Sequence, residues 1–278
     1  MNRNLVSEDE QLLKKYYTRY GGFWEYPELL DYCYLVNPYF NRSNIIDEMQ
    51  ENFRTLVSEY PAGMGVNSRL AGECWHINEE YIIPGNGAAE LIKVLMENLE
   101  GKVGVVRPTF EEYPNRLPDD RVVTFVPENA SFRYDAKDLM EFFGCHPVDT
   151  LLLINPDNPS GNFIPMSGVH ELAKWCEEKC IRLVLDESFV DFSVGFKDNT
   201  FLDNSILEQY RHMCVMKSIS KSYGVPGLRL GILCSAEKEL IAKMKKQVSI
   251  WNINSFAEFF MQIYPKYRED YNLACHQF

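Results

Sequence analysis

No stretch of this sequence is long and apolar enough to cross a bilayer, and the opening MNRNLVSEDEQLLKK is polar and charged where a signal segment would be apolar. Those absences make the cytoplasm the expected compartment and leave no membrane partner to look for. Basic residues are also short: 28 Lys and Arg stand against 40 Asp and Glu, for a formal net charge of -12. Nucleic acid is therefore not an expected partner, because binding to a phosphate backbone is driven by Lys and Arg displacing counterions. The eight cysteines are scattered. Cys176 and Cys180 are the closest pair, with no second pair at zinc spacing, so reduced and mostly buried thiols are expected and no metal is assigned. The five histidines form no catalytic or ligand pattern. Internal repeats, low-complexity linkers and a Gly-rich nucleotide-binding signature in the first hundred residues are all missing.

What is present reads as a globular enzyme-sized chain. Its 278 residues are 46% hydrophobic and 24% charged, enough for one large domain and part of another. Short apolar runs, VGVV (Val103 to Val106), LLLI (Leu151 to Ile154) and IRLVL (Ile181 to Leu185), alternate with amphipathic stretches, the pattern of an α/β sheet whose strands are buried on both faces. In GAAELIKVLMENLEG, Ala88, Leu91, Ile92, Leu95 and Leu99 recur at helical spacing, predicting a helix that opens just after Gly87 and stops before Gly101. Turn-forming clusters PGNG, RPTF, NPDNPSG and YGVPG follow the ends of apolar runs. Loops at the carboxyl ends of sheet strands are where α/β proteins build their sites.

Three segments occur in a telling order: NPDNPSG, then DESF after an apolar strand, then SISKSYGVPGLRLG. Together they resemble the signature of class I and II aminotransferases, from about Tyr60 to Phe260, with histidinol-phosphate aminotransferase and threonine-phosphate decarboxylase as the nearest members. The resemblance implies a pyridoxal-phosphate-dependent transferase fold of type I: a mostly parallel central sheet between helices, with an incomplete small C-terminal domain. The expected division is 1–45 as an N-terminal arm with short helices, 46–250 as the large cofactor-binding domain, and 251–278 as the start of the small domain.

Residue by residue, the resemblance implies that Lys221 holds pyridoxal 5'-phosphate as a Schiff base and later moves a proton at the substrate α carbon. Most lysines are solvated surface groups; the flanking SISKSY favours the functional role. Asp186 matches the carboxylate that keeps the cofactor's pyridine nitrogen protonated, although a strand-end aspartate can simply cap a turn. Asn158 matches the donor to the phenolic oxygen, and a turn-forming Asn before Pro is the plainer alternative. Gly87, Ala88 and Ala89 at a helix start, with Ser218, Ser220 and Arg229, match the phosphate-binding set. Phe110 stands where a ring stacks on the cofactor, with a core phenylalanine as the alternative. Tyr60 in SEYPAG matches the tyrosine that reaches the phosphate from a neighbouring subunit, which implies a homodimer.

Two departures from the family stand out. Phe189 occupies a position where many relatives have tyrosine. Family members also continue beyond the point where this sequence ends, into a region carrying an arginine that clamps the substrate carboxylate, and no residue here is assigned to that role. Trp251, Asn252 and Asn254 in WNINSFAEFF are the remaining expected substrate contacts. The expected activity is transamination between a small amino acid and a keto acid, with phosphorylated amino acids among the candidate substrates. The alternatives are a decarboxylase like the one acting on threonine phosphate, or a catalytically incomplete cofactor-binding module of a larger fusion.

Overall fold

The computed structural model describes residues 22, 24, 28–32, 34–40 and 44–278. The chain divides into two units, Met1–Leu35 and Val36–Phe278. Most of the expected N-terminal arm lies outside the described residues; within the first unit, Tyr34 N donates to Asp31 Oδ1 at 3.2 Å.

The second unit opens with helices α1 (Asn44–Glu51), α2 (Phe53–Ser58) and α3 (Met64–Trp75). Strand β1 (Ile82–Asn86), helix α4 (Gly87–Asn98), β2 (Val103–Val106) and β3 (Val122–Phe125) follow, then α5 (Ala136–Cys145), β4 (Thr150–Ile154), α6 (Met166–Glu178) and β5 (Arg182–Asp186). The remainder is α7 (Asn204–Gln209), β6 (Met213–Ser218), the short α8 (Ile219–Ser222), β7 (Leu230–Cys234), α9 (Lys238–Gln247), α10 (Ser255–Ile263) and α11 (Arg268–Gln277). The three apolar runs fall in β2, β4 and β5. Helix α4 opens at Gly87 as its spacing predicts, but it ends at Asn98, and Leu99 turns to extended geometry at its C-cap.

The strands form one seven-stranded sheet in the order β1-β7-β6-β5-β4-β2-β3. The pairings β2/β3, β2/β4, β4/β5 and β5/β6 are parallel, whereas β7 runs antiparallel to both β6 and β1. Six strands therefore point the same way and β7 alone is reversed. This polarity brings the C-terminal ends of β1, β2, β4, β5 and β6 to a single edge, and it delivers the N-terminal end of β7 to that same edge.

The continuous apolar runs are explained by the cover on both faces. Successive residues in a strand point to opposite sides, so Leu151, Leu153, Leu183, Leu185, Val215 and Ile232 join one core with Leu139 of α5, Leu172 of α6 and Phe260 of α10. Their neighbours Leu152, Ile154, Val184, Met216 and Leu233 join the other, with Leu91 and Leu95 of α4 and Met244 of α9. Each such fully buried aliphatic side chain contributes roughly 1.5–3 kcal/mol relative to exposure. Helix α5 is started by a capping box: Asp135 Oδ1 accepts from the amides of Lys137 (2.8 Å) and Asp138 (3.1 Å), and Asp138 Oδ2 accepts from Asp135 N (2.8 Å).

The segment 251–278, expected to open a small domain, packs into the first of these cores through Ala257, Phe260, Met261, Ile263, Tyr264 and Tyr271. It lies in the same compact unit as the sheet. Within this segment Trp251 sits in left-handed geometry (φ 54°). Asn254 is the N-cap of α10, accepting from Ala257 N at 2.9 Å. Among the described residues no helix is long and apolar enough to cross a membrane, and none of the seven described cysteines is in a disulfide.

Candidate active site

At the shared edge, Gly87 follows β1 directly and is the first residue of α4. Its φ of +73° suits a residue without Cβ. A side chain there would also collide with Arg229, since an added Cβ would lie 2.5 Å from Nη2. The guanidinium thus covers the start of α4, where the first amides and the positive end of the helix dipole gather. Gly231 plays the matching part on β7: a Cβ there would lie 2.5 Å from Ala88 N, so its absence lets β7 press against the helix start. Ala88 is half-buried and Ala89 exposed. Because β7 is reversed, Arg229 enters the strand from the site edge, eight residues past Lys221 (229 − 221).

From the end of β6 come Ser218, Ser220 and Lys221. Ser218 N donates to Ser188 Oγ at 2.9 Å. Ser220 is buried, and its Oγ has no hydrogen-bond partner, an unusual condition for an enclosed hydroxyl. Lys221 sits in the single turn of α8; its Nζ lies 5.7 Å from the centre of the Phe189 ring, and its carbonyl accepts from Asn37 N at 3.0 Å.

Asp186 ends β5 and is almost fully enclosed, at 4% exposure. Its Oδ2 accepts from the Tyr113 hydroxyl at 2.7 Å and its Oδ1 from Ser188 N at 2.8 Å. Burial raises the carboxyl pKa, while the hydrogen bonds from Ser188 and Tyr113 and the charge of Lys221 work against that rise. In the loop after β4, Asn155 exchanges two hydrogen bonds with the backbone of Ile164 (2.9 and 2.8 Å), and Asp157 N donates to Asn162 O at 2.8 Å. Asn158, half-buried, lies between those anchors. Phe110, in the loop after β2, is 43% exposed and meets Tyr113 edge to face at 6.5 Å.

The expected substrate-side residues are engaged in different ways. Asn254 caps α10 and donates to Leu228 O at 2.9 Å. Asn252 Nδ2 donates to Glu90 Oε2 at 2.8 Å, and the same carboxylate oxygen accepts from Asn86 N at 2.7 Å. Trp251 meets Tyr60 at a tilt of 37°, ring centres 4.7 Å apart, and both rings are open to solvent. Tyr60 therefore touches Trp251 of its own chain.

Several residues at this edge had no role in the sequence reading. Tyr113 and Ser188 hold Asp186, and Glu90 ties Asn252 to the start of α4. Behind Lys221, Lys217 Nζ reaches both oxygens of Asp191 (2.8 and 2.7 Å), and all but a few per cent of both side chains is buried. Ser222 Oγ donates to Asp191 Oδ2 at 2.7 Å, and Tyr271 OH donates to Ser222 Oγ at 2.9 Å. Tyr271 also stacks on Tyr223 at 4.0 Å and 11°. The two residues after Lys221 are thus gripped by α11. A lysine inside the buried run MCVMKS is the signal that could have revealed the ion pair, because a buried charge requires a partner.

A family model for class I and II aminotransferases matches residues 66–261. The chain belongs to that family. CMP-5'-(3-aminopropyl)phosphonate synthase of Streptomyces rubellomurinus is 31% identical over 93% of this chain and 40% of its own length. L-serine phosphate decarboxylase of Sulfurospirillum multivorans is 31% identical over 87% of this chain and 63% of its own length. The chain thus spans less than two thirds of these relatives. Among solved structures, a decarboxylase from Sulfurospirillum multivorans superposes with a TM-score of 0.77 at 27% identity, covering 96% of this chain and 74% of the other. Histidinol-phosphate aminotransferase from Clostridium acetobutylicum gives 0.74 at 26%, covering 89% and 72%. These establish the type I fold, and family members depend on pyridoxal phosphate and act on amino and keto acids.

The residues present fit that cofactor on the structure's own terms. The unpartnered Ser220 hydroxyl, the bare helix start at Gly87 and the guanidinium packed over it form a set of donors suited to a phosphate dianion. Asp186 supplies an enclosed carboxylate for a protonated ring nitrogen, and Lys221 an amine on the same edge.

Proposed function

We propose that this chain carries the cofactor-binding core of a pyridoxal-phosphate enzyme that decarboxylates a phosphorylated amino acid. One observation carries the cofactor reading: Gly87, Asp186 and the segment bearing Ser220, Lys221 and Arg229 are distant in sequence, and they gather along one sheet edge. The substrate reading is supported by relatives named L-serine phosphate decarboxylase and threonine-phosphate decarboxylase. Transamination is the second reading, favoured by the likeness to histidinol-phosphate aminotransferase in both sequence and fold.

When bound, pyridoxal phosphate supplies an electron sink for a bond broken at the substrate α carbon. The chain's own residues supply the rest. Arg229, Ser218, Ser220 and the amides of Gly87, Ala88 and Ala89 would hold the phosphate; Asp186 would pair with the ring nitrogen, and Asn158 would donate to the phenolic oxygen. Phe110 would supply the aromatic cover. Lys221 would supply the amine that holds the cofactor and a base or acid able to move a proton at the substrate α carbon. Trp251 and Asn252 lie toward the substrate.

The working form is a homodimer in which Tyr60 reaches the phosphate of the neighbouring copy. Its 80% exposure supports this, as do the exposed Phe53 (58%) and Val57 (61%) on α2, a helix with no buried residue.

Borohydride reduction of the holoprotein followed by peptide mapping tests the attachment, with the label expected on Lys221 and absent from Lys221→Ala. Incubation with L-serine phosphate then separates the reactions. Carbon dioxide release without a keto acid is the expected result, whereas an amino group appearing on an added keto acid selects transamination. A label on another lysine overturns the cofactor reading itself.

A further inference from the structure

Tyr113 has no exposed surface, yet its hydroxyl is spent on a single carboxylate oxygen, Asp186 Oδ2, at 2.7 Å. The other oxygen of Asp186 takes the amide of Ser188. An ionised carboxylate offers about four acceptor positions, so these donors leave room for a further one. The ring of Tyr113 serves a second purpose, since its edge-to-face contact with Phe110 at 6.5 Å and 79° buttresses the aromatic group expected over the cofactor. Both residues belong to one short stretch after β2, which therefore reaches the carboxylate at the end of β5, two strands away in the sheet.

Resting on the cofactor reading above, we propose that Tyr113 is a positioning residue: through Asp186 it sets how fully the cofactor's ring nitrogen is protonated, and through its ring it holds Phe110 in place. A donor on a carboxylate stabilises the anion and makes it a weaker base. A proton shared between Asp186 and the ring nitrogen then stays on nitrogen. Without that donor, an enclosed carboxylate competes for the proton. The groups acting on this pair are Lys221 from α8 and Ser188 after β5, with Cys214 of β6 acting on Tyr113. Tyr113 remains a donor throughout the working range, because burial and then the charge of Asp186 push its phenol far above the ordinary value.

The test is Tyr113→Phe in the holoprotein, reconstituted with pyridoxal phosphate labelled with 15N in the ring. The ring-nitrogen shift is expected to move toward the unprotonated position, and cofactor dissociation to strengthen by about tenfold or more, the scale of a lost hydrogen bond to a charged group. Phe110→Leu is the companion variant: it should weaken binding while leaving the nitrogen shift in place. Replacement of Tyr113 by 3-fluorotyrosine keeps the shape and acidifies the phenol, so it should drive the shift toward the protonated position, which keeps the idea testable should Tyr113→Phe fold poorly. A purely structural role for Tyr113 predicts a lower melting temperature with the nitrogen shift unchanged in both replacements, and that result overturns the proposal. Wild-type protein that takes up the cofactor on Lys221 but shows no response to either replacement defeats this inference alone. Wild-type protein that takes up none defeats the cofactor reading beneath it.

Discussion

Phe189 lies closer to the chemistry than its plain side chain suggests, since Lys221 Nζ is 5.7 Å from its ring. The ring can attract an ammonium through its π face, but it offers no hydroxyl to the cofactor's phenolic oxygen. The Lys221 imine is therefore expected to keep its proton to higher pH than in relatives with tyrosine at this position. Phe189→Tyr should lower the midpoint of the imine's absorbance change by about one pH unit, the scale of one hydrogen bond to an ionised oxygen. Spectrophotometric titration of both proteins measures it, and a midpoint that stays put or climbs rejects the idea. At this scale the sequence offers a reading wherever a residue's proposed role travels with its immediate neighbours. The roles proposed for Lys221 in SISKSY and Asp186 before Glu187 are of that kind. That of Tyr113 is not, because its partner is 73 residues away and nothing local distinguishes it from the other tyrosines.

Elements show the same division. Strands β2, β4 and β5 were readable from apolar runs, and α4 from its spacing and the glycine before it. The exit from β5 was not, because it is held by buried polar groups. Glu187 is 1% exposed; its Oε1 accepts from Phe201 N and its Oε2 from Thr200 Oγ1, each at 2.6 Å, which ties the 193–202 loop to the strand end. Burial raises its pKa from the usual 4.5 to about 7, against the charge of Lys217 and the hydrogen bond from Thr200. A folded-state pKa above the unfolded one means that the protonated group favours the fold. That contribution is fully present below about pH 4.5 and is lost as pH rises through about 7. Glu187→Gln should accordingly flatten the fall in melting temperature between pH 5 and pH 8, read by scanning calorimetry. Parallel profiles for the two proteins would count against it.

At the level of the whole molecule, the alternation of strands and helices announced an α/β sheet, but neither the strand order nor the destination of 251–278 could be read. Amphipathic spacing in SFAEFFMQI says that one face is buried, and it says nothing about which core receives it. The structure answers with Phe260 and Met261 in the same cluster as Leu151 and Leu183. The exposed Phe53 and Val57 of α2, with Tyr60 just beyond it, in turn leave an apolar strip. Sedimentation equilibrium of the holoprotein should give twice the mass of one chain. Tyr60→Ala should preserve that mass while weakening cofactor retention by about tenfold; a monomeric holoprotein with full retention would refute the shared site.

The reversed strand β7 has one more effect. Every other strand at the site edge is followed by a long excursion before the chain returns, but the step from the end of β6 to the beginning of β7 takes only the residues between Ser218 and Leu230. The amine and the guanidinium are therefore carried by one short connection, and chain length limits the spacing between them. Extra residues spliced into that bend would push the two groups out of step. The loops after β2 and β4 are held instead by side-chain contacts, Tyr113 to Asp186 in the first and Asn155 to Ile164 in the second.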